Sequence, residues 1–379
     1  MSPSVEKATF NDALTGRAIT QWTASAEKDQ HLYFTSFSVT ADDRWLVFIS
    51  ERSGHPNLHK IDRLSGEIFQ VSQNHGGLLH AYVYPYGGDT GLSKASPALD
   101  PAHNRLFWIQ DDAIWRADLD SEDAPQCLAA LPPDTWSAFT HVAPDGKTIC
   151  VPVTAADAFD PARTGQWEQM QDTVRRFKQS DGALFSDVLL IDTQTGNTRT
   201  LARLPFWVTH VQYDPPGSGR ILFNQEGGNL VRPRVYALEP DGTWRPLYVQ
   251  EPEEDWASHE NWNPQGGEVI YHGKRQGRPF VAARSWEGEL HYCHWLTPAQ
   301  DFIHATPTLD GSRLLVDQMN GSLGIVDAAS GTVETLCQHG SSSHEQDVHV
   351  HALTTPLGRS AIFTSDRDGT GNVYEVPLD

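Results

Sequence analysis

The chain has 379 residues, 39% of them hydrophobic and 20% charged. That is the profile of a globular protein with ample core, and it excludes a disordered or fibrous chain. Lys and Arg number 28 against 49 Asp and Glu, a formal net charge of −21, which argues against nucleic acid or an anionic membrane as partner.

The first twenty residues, MSPSVEKATFNDALTGRAIT, contain no apolar run of signal-peptide length. No later run approaches a membrane span, so a cytoplasmic setting is expected. Cys127, Cys150, Cys293 and Cys337 form no CxxC pair and no zinc pattern, which suits thiols in a reducing compartment.

From residue 37 onward one unit recurs: a short strand, a turn rich in Asp, Pro and Gly, an apolar strand, and a further strand. Three copies close on Asp-x-x-Ser/Thr-Gly turns, at Asp62–Gly66, Asp192–Gly196 and Asp327–Gly331. The central turns fall near Asp42, Asp100, Asp145, Pro215, Pro264, Asp310 and Pro356, spaced 58, 45, 70, 49, 46 and 46 residues apart. A period in the forties with several strands per unit is the pattern of β-propeller blades. The expectation is an all-β, seven-bladed β-propeller forming one domain over 1–379. Its blades lie near 37–67, 93–125, 136–201, 207–244, 257–290, 303–336 and 347–378. The seventh copy stops one strand short, and the segment 17–24 is expected to supply that strand and close the ring.

Residues 156–184 break the repeat. Within them Trp167, Met170, Val174 and Phe177 follow helical spacing, which predicts a helical insertion over one face.

Histidines recur on the first strands, which in a propeller lie nearest the axis. His141 stands four residues before its turn, His210, His259 and His351 five before theirs, and His304 six. Residues distant in sequence thus converge on one channel. His349 and His351 are two apart and share a strand face, while Gln346 just precedes them, where a turn can bring its carbonyl inward. Neutral imidazoles and a carbonyl oxygen suit Mn²⁺, Fe²⁺, Ni²⁺ or Zn²⁺. The histidines of HYCH (291–294) and QHGSSSH (338–344) lie outside this register.

The blocks HLYFTSFSVTADDRWLVF, THVQYDPP, SHENWNPQGGEVIY and QDVHVHALTTPLGRSAIFTSDRDG resemble oligogalacturonate lyases, seven-bladed propellers that cleave short galacturonate oligomers inside the cell. SERSGHPNLHKID is similar to the wider Tol-B-like repeat. The resemblance implies a divalent cation, usually Mn²⁺, held by His259, Gln346, His349 and His351, with His210 as catalytic base. Arg234, His304 and His141 are then expected to contact an anionic oligosaccharide. In one place the chain departs from the family: Asp187 stands where the third blade carries a catalytic arginine. Arg175, Arg176 and Arg234 are the candidates to replace that cation.

The chemistry expected is β-elimination, a carbon–oxygen lyase reaction giving an unsaturated uronate. A non-catalytic propeller that binds proteins or peptides, and a metal-dependent enzyme on another sugar acid, are the alternatives that the sequence leaves open.

Overall fold

The repeating turn-and-strand units fold into seven antiparallel sheets arranged as a β-propeller. The computed structural model describes residues 5–75, 91–92, 96–160, 162–163, 166–251 and 254–379; the side chains of residues 166, 254, 255 and 346 also lie outside the described set. Of the expected second blade, residues 93–95 fall outside it, as do 161, 164 and 165 of the expected insertion.

Blade four shows the plan. Its strands run Val208–Tyr213, Ile221–Gln225, Val235–Leu238 and Trp244–Tyr248, each paired antiparallel with the next. Second strands lie between neighbouring blades and are buried on both faces, as in Trp45–Ser50 of blade one and Ser360–Ser365 of blade seven. That is why they are almost wholly apolar rather than alternating. Fourth strands form the rim and are half exposed, as in Gln126–Ala130 and Leu290–Trp295.

The core is a ring of inter-blade interfaces. Leu46, Phe48 and Ile61 of blade one pack on Ile362 and Val373 of blade seven. Each adjacent pair of blades shares such a cluster. The N-terminal strand Ala18–Gln21 pairs with Asn372–Pro377, and Ala8–Asn11 pairs outside it. Trp22 Nε1 donates to Glu375 Oε2 at 2.7 Å. Arg63 of blade one grips the same carboxylate with both guanidinium nitrogens, at 2.9 and 3.0 Å.

One strand and one side chain differ from the sequence reading, and the helical insertion is as expected. The innermost strand of blade one is Asp29–His31, not the segment from residue 37, which joins the sheet only by an isolated bridge from Val39 to Leu46. The chain leaves the strand after His31, and Tyr33 and Phe34 enter the axial channel. The insertion forms an α-helix, Gln166–Gln179, hereafter α1. Val174 and Phe177 are buried, Phe177 against Ala158, Phe159 and Trp207. Trp167 is 49% exposed and is not part of that packing.

Candidate metal centre and catalytic cavity

The inner strands of blades four, five and six each carry a β-bulge, in which two residues stand opposite one. The pairing shifts between Val208 and Val211, between Ser258 and Asn261, and between Phe302 and Ala305. The bulged pairs are therefore Thr209–His210, His259–Glu260 and Ile303–His304. A bulge bends the strand and re-aims a side chain, here toward the axis.

This local geometry refines the spacing argument. By strand pairing His210, Glu260 and His304 are equivalent, and His259 is one residue early. His259 reaches the axis because its backbone is left-handed, φ 49°; His351 is left-handed too, φ 40°. Such conformations are strained for residues with a Cβ, and they persist where the surroundings impose them, often at functional sites. For His351 the surroundings include His31, whose Nε2 lies 2.9 Å from the His351 carbonyl. His31 Nδ1 lies 2.6 Å from Thr364 Oγ1. Burial pushes His31 down to about 4, so it is neutral, donating to the carbonyl and accepting from the hydroxyl.

Four imidazoles meet at the axis. Ring centroids of His304 lie 3.9 Å from His351, 4.6 Å from His259 and 5.4 Å from His349. Ligand atoms of His304, His349 and His351 all fall within 4.8 Å of one another. Burial, then His304 and His272, holds His259 well below the usual imidazole value; burial, then His304 and His349, does the same for His351. Neutral imidazoles keep the lone pairs that metal ligation requires. His259 Nδ1 is 2.9 Å from His272 Nε2, which fixes its ring and leaves Nε2 for a ligand. The donor set therefore fits a divalent cation.

A cavity of about 440 Å³ opens on this cluster, lined by His210, His259, His304 and His349 together with Tyr33, Glu226, Arg234, Trp167 and Trp256. His210 is 4% exposed, and its Nδ1 is 3.1 Å from Glu260 Oε1. A carboxylate there fixes the proton on Nδ1 and leaves Nε2 as a base. Arg234, also 4% exposed, pairs with Glu226 at 3.2 Å. Burial works to raise Glu226, yet Arg234 and His210 pull it down to about 2. Tyr33 is kept protonated by burial and by Glu226 and Glu260, well above the ordinary phenol value.

The other expected residues are placed as follows. His141 does not join this cavity. It lines a second cavity that Phe34 also lines, and its Nδ1 accepts from Tyr213 N at 3.2 Å. Phe34 is the partition, its ring within 5.4–6.4 Å of those of His210, His259, His304 and His351. Gln346 opens the 3-10 turn Gln346–Val348, and its side chain lies outside the described residues. Asp187 is closed off by a two-point pair with Arg203, both contacts 2.8 Å, away from the cavity. Arg175 and Arg176 are both tied to Asp172 on α1. Of the three candidate replacement cations, Arg234 is the one that lines the cavity.

Sequence reasoning missed His31, Tyr33, Phe34, Glu260, His272 and Asp317. Glu260 had a signal, being adjacent to His259 in SHENW; the segment DQHLYF (29–34) held another, a histidine followed by two aromatics.

No protein-family profile matches the chain. It is similar over nearly its whole length to oligogalacturonate lyases. It is 22% identical over 395 residues to the oligogalacturonate lyase of Dickeya dadantii (strain 3937), covering 97% of this chain and 94% of that protein. It is 22% identical over 394 residues to the oligogalacturonide lyase of Pectobacterium atrosepticum, with the same coverage. Among solved structures, an oligogalacturonate lyase in complex with manganese superposes with a TM-score of 0.83 at 20% identity, over 100% of this chain and 97% of that one. The oligogalacturonate lyase of Vibrio parahaemolyticus also gives 0.83, at 18% identity, over 100% and 99%. These structures share the seven-bladed fold.

Proposed function

We propose that the protein is a metal-dependent carbon–oxygen lyase that cleaves short uronate oligosaccharides, of the oligogalacturonide class, by β-elimination. The observation that carries this reading is the meeting of a neutral imidazole cluster, a carboxylate-oriented histidine and a buried arginine around one cavity. Full-length similarity to oligogalacturonate lyases supports it.

The C5 proton of a uronate lies α to a carboxylate, and its removal builds charge on that carboxylate. His210, with Nδ1–H held by Glu260, takes the proton at Nε2. Arg234 supplies a fixed cation in a low-dielectric wall, where it acts on developing negative charge more strongly than in water. Tyr33 brings a protonated hydroxyl for the departing C4 oxygen. Trp167 of α1 and Trp256 offer aromatic faces to the sugar rings. His304, His349 and His351, whose ligand atoms lie within 4.8 Å of one another, would hold the cation, and His259 and Gln346 belong to the set that the resemblance implies. The cation, Mn²⁺ or another divalent ion, supplies Lewis-acid stabilisation of the substrate carboxylate.

A local cationic centre also accounts for an anionic substrate on a chain of net charge −21. The same charge argues against nucleic-acid and membrane partners, and no helix among the described residues is long and apolar enough to cross a membrane. All four cysteines are free thiols, in keeping with a cytoplasmic setting.

The test is direct. Manganese-loaded protein incubated with galacturonate oligomers is expected to generate the ultraviolet absorbance of an unsaturated uronate. Cleavage without that absorbance would assign a hydrolase. No reaction on a panel of uronate oligomers would move the assignment to another sugar acid.

A further inference from the structure

The catalytic cavity is poor in positive charge for an oligosaccharide that bears a carboxylate on every ring. Three buried carboxylates stand at or behind its wall, Glu226, Glu260 and Asp317. Glu226 pairs with Arg234, Glu260 faces His210 Nδ1, and Asp317 Oδ2 lies 2.6 Å from His304 Nδ1. Among the described lining residues Arg234 is the one Lys or Arg. The formal excess is two negative charges, which a divalent cation cancels. Neighbouring cations are spent elsewhere. Lys178 Nζ donates to the Leu230 carbonyl at 3.2 Å, and Arg232 Nη1 to the Glu251 carbonyl at 3.2 Å. Lys274, paired across the sheet with Trp256, bonds Asp301 at 2.7 Å.

The rest of the described lining is uncharged. Trp167 and Met170 of α1, Phe139, Trp256 and Ile303 present apolar faces, with Asn229 and Ser258 among them to meet hydroxyl groups. The α1 side of this wall is seated closely: a Cβ on Gly227 would stand 2.8 Å from Val174 Cγ2. One substrate carboxylate, on the ring that loses its C5 proton, is served by the cation and Arg234. A second carboxylate would enter a low-dielectric wall beside Glu226 with no counter-charge left, and burying an unpaired charge is unfavourable.

We propose that the preferred substrate is a free uronate whose O4 carries an uncharged sugar ring, either a galacturonate methyl ester or a neutral hexose. This rests on the proposed elimination and narrows its substrate. The C5 proton passes to His210, the C4–O4 bond breaks and a C4–C5 double bond forms. The departing O4 takes a proton from Tyr33 and becomes the anomeric hydroxyl of the uncharged ring. The proton on His210 then returns to Tyr33 through solvent.

The experiment compares three disaccharides on manganese-loaded protein. Each has a free galacturonate at the reducing end, and its O4 carries galacturonate, galacturonate methyl ester or galactose. Ultraviolet absorbance gives kcat/KM, and calorimetry gives Kd. The two uncharged caps are expected to exceed the galacturonate cap about a hundredfold in kcat/KM, the scale of a charged group left without its partner. A larger gain for the ester assigns the ester, and a larger gain for galactose assigns the hexose. Met170→Lys, which adds a cation to the wall, should recover about tenfold of the loss on the galacturonate cap; Trp167→Lys serves if that variant does not fold. Equal or higher kcat/KM on the galacturonate cap overturns the inference and leaves the elimination standing. If none of the three is eliminated, the proposed reaction fails, and Kd decides the inference: tighter binding of the uncharged caps upholds it, and equal or weaker binding overturns it.

Discussion

Phe34 lies between two cavities of the axial channel that are lined by different groups. One, of about 440 Å³, carries His210, His259, His304, Arg234 and Glu226. The other, of about 300 Å³, is walled by Pro101, Pro144, Pro215, Pro264 and Pro307, with His141, Gln212 and Asn261 among its few polar groups. The second takes lining residues from all seven blades; the first takes them from α1 and from blades three to seven, with Tyr33. What separates them is position along the strand. Residues at the bulges face the first cavity, and residues next to the central turns, where Asp and Pro recur, face the second. His141, like Gln212 and Asn261, lies on the turn side of the bulge position and lines the second cavity, whereas His210 lies in a bulge and lines the first.

The sharpest test of this division is a pair of variants. His210→Ala should lower turnover on a uronate oligomer by about a thousandfold, within the range for a lost general base, with the melting temperature held. His141→Ala should leave turnover near that of the unmodified protein. Equal losses in both would erase the distinction between the two cavities. Next in size, Phe34→Ala should cost about 3–5 kcal/mol, the usual loss for a buried aromatic, measured by denaturant unfolding. A loss below 1 kcal/mol would show that the ring does not seal the channel.

Removing the cation should act on the first cavity alone. At a metal concentration about 100 times Kd, chelation should withdraw about 2.7 kcal/mol of stability, read as a fall in the melting temperature. Acidification probes the second cavity together with blade one. Burial pushes His141 down to about 4, and burial followed by Arg52 does the same to His59. In the unfolded chain these residues take up protons below about pH 6.5, while in the fold they do so only near pH 4. Stability is therefore complete above pH 6.5 and is lost as pH falls toward 4, and melting curves between pH 7 and pH 4.5 should show that slope. The smallest effect belongs to the rim of the first cavity. Trp167→Ala should raise KM several-fold with kcat retained; a fall in kcat at constant KM would remove the ring as a binding platform.

The seven blades were legible because every copy must rebuild the same turn, and turns require Asp, Pro and Gly at set positions. His210, His259, His304, His349 and His351 were legible for the same reason, as fixed distances from those turns. The bulges left no such mark. A bulge is a property of pairing between two strands, and the sequence of one strand does not reveal it. For that reason the equivalence of Glu260 with His210 and His304 was hidden, and so was Asp317, which sits on the second strand of its blade. His31, Tyr33 and Phe34 were missed because the first repeat was counted from Asp42, beyond the point where the inner strand breaks. Arg234 was readable only as one cation among three; the closure of Arg175 and Arg176 on Asp172 singles it out.

The joint between Ala18–Gln21 and Asn372–Pro377 sets the order in which the molecule is completed. The hairpin of Ala8–Asn11 and Ala18–Gln21 has no further strand to pair with until residues 372–377 have been synthesised. Blade seven is therefore assembled last from both directions. Loss of those six residues would remove more than one strand: it would leave Trp22 and Arg63 without Glu375 and open the ring beside blade one. A truncation at this joint should yield an aggregating chain rather than a six-bladed relative.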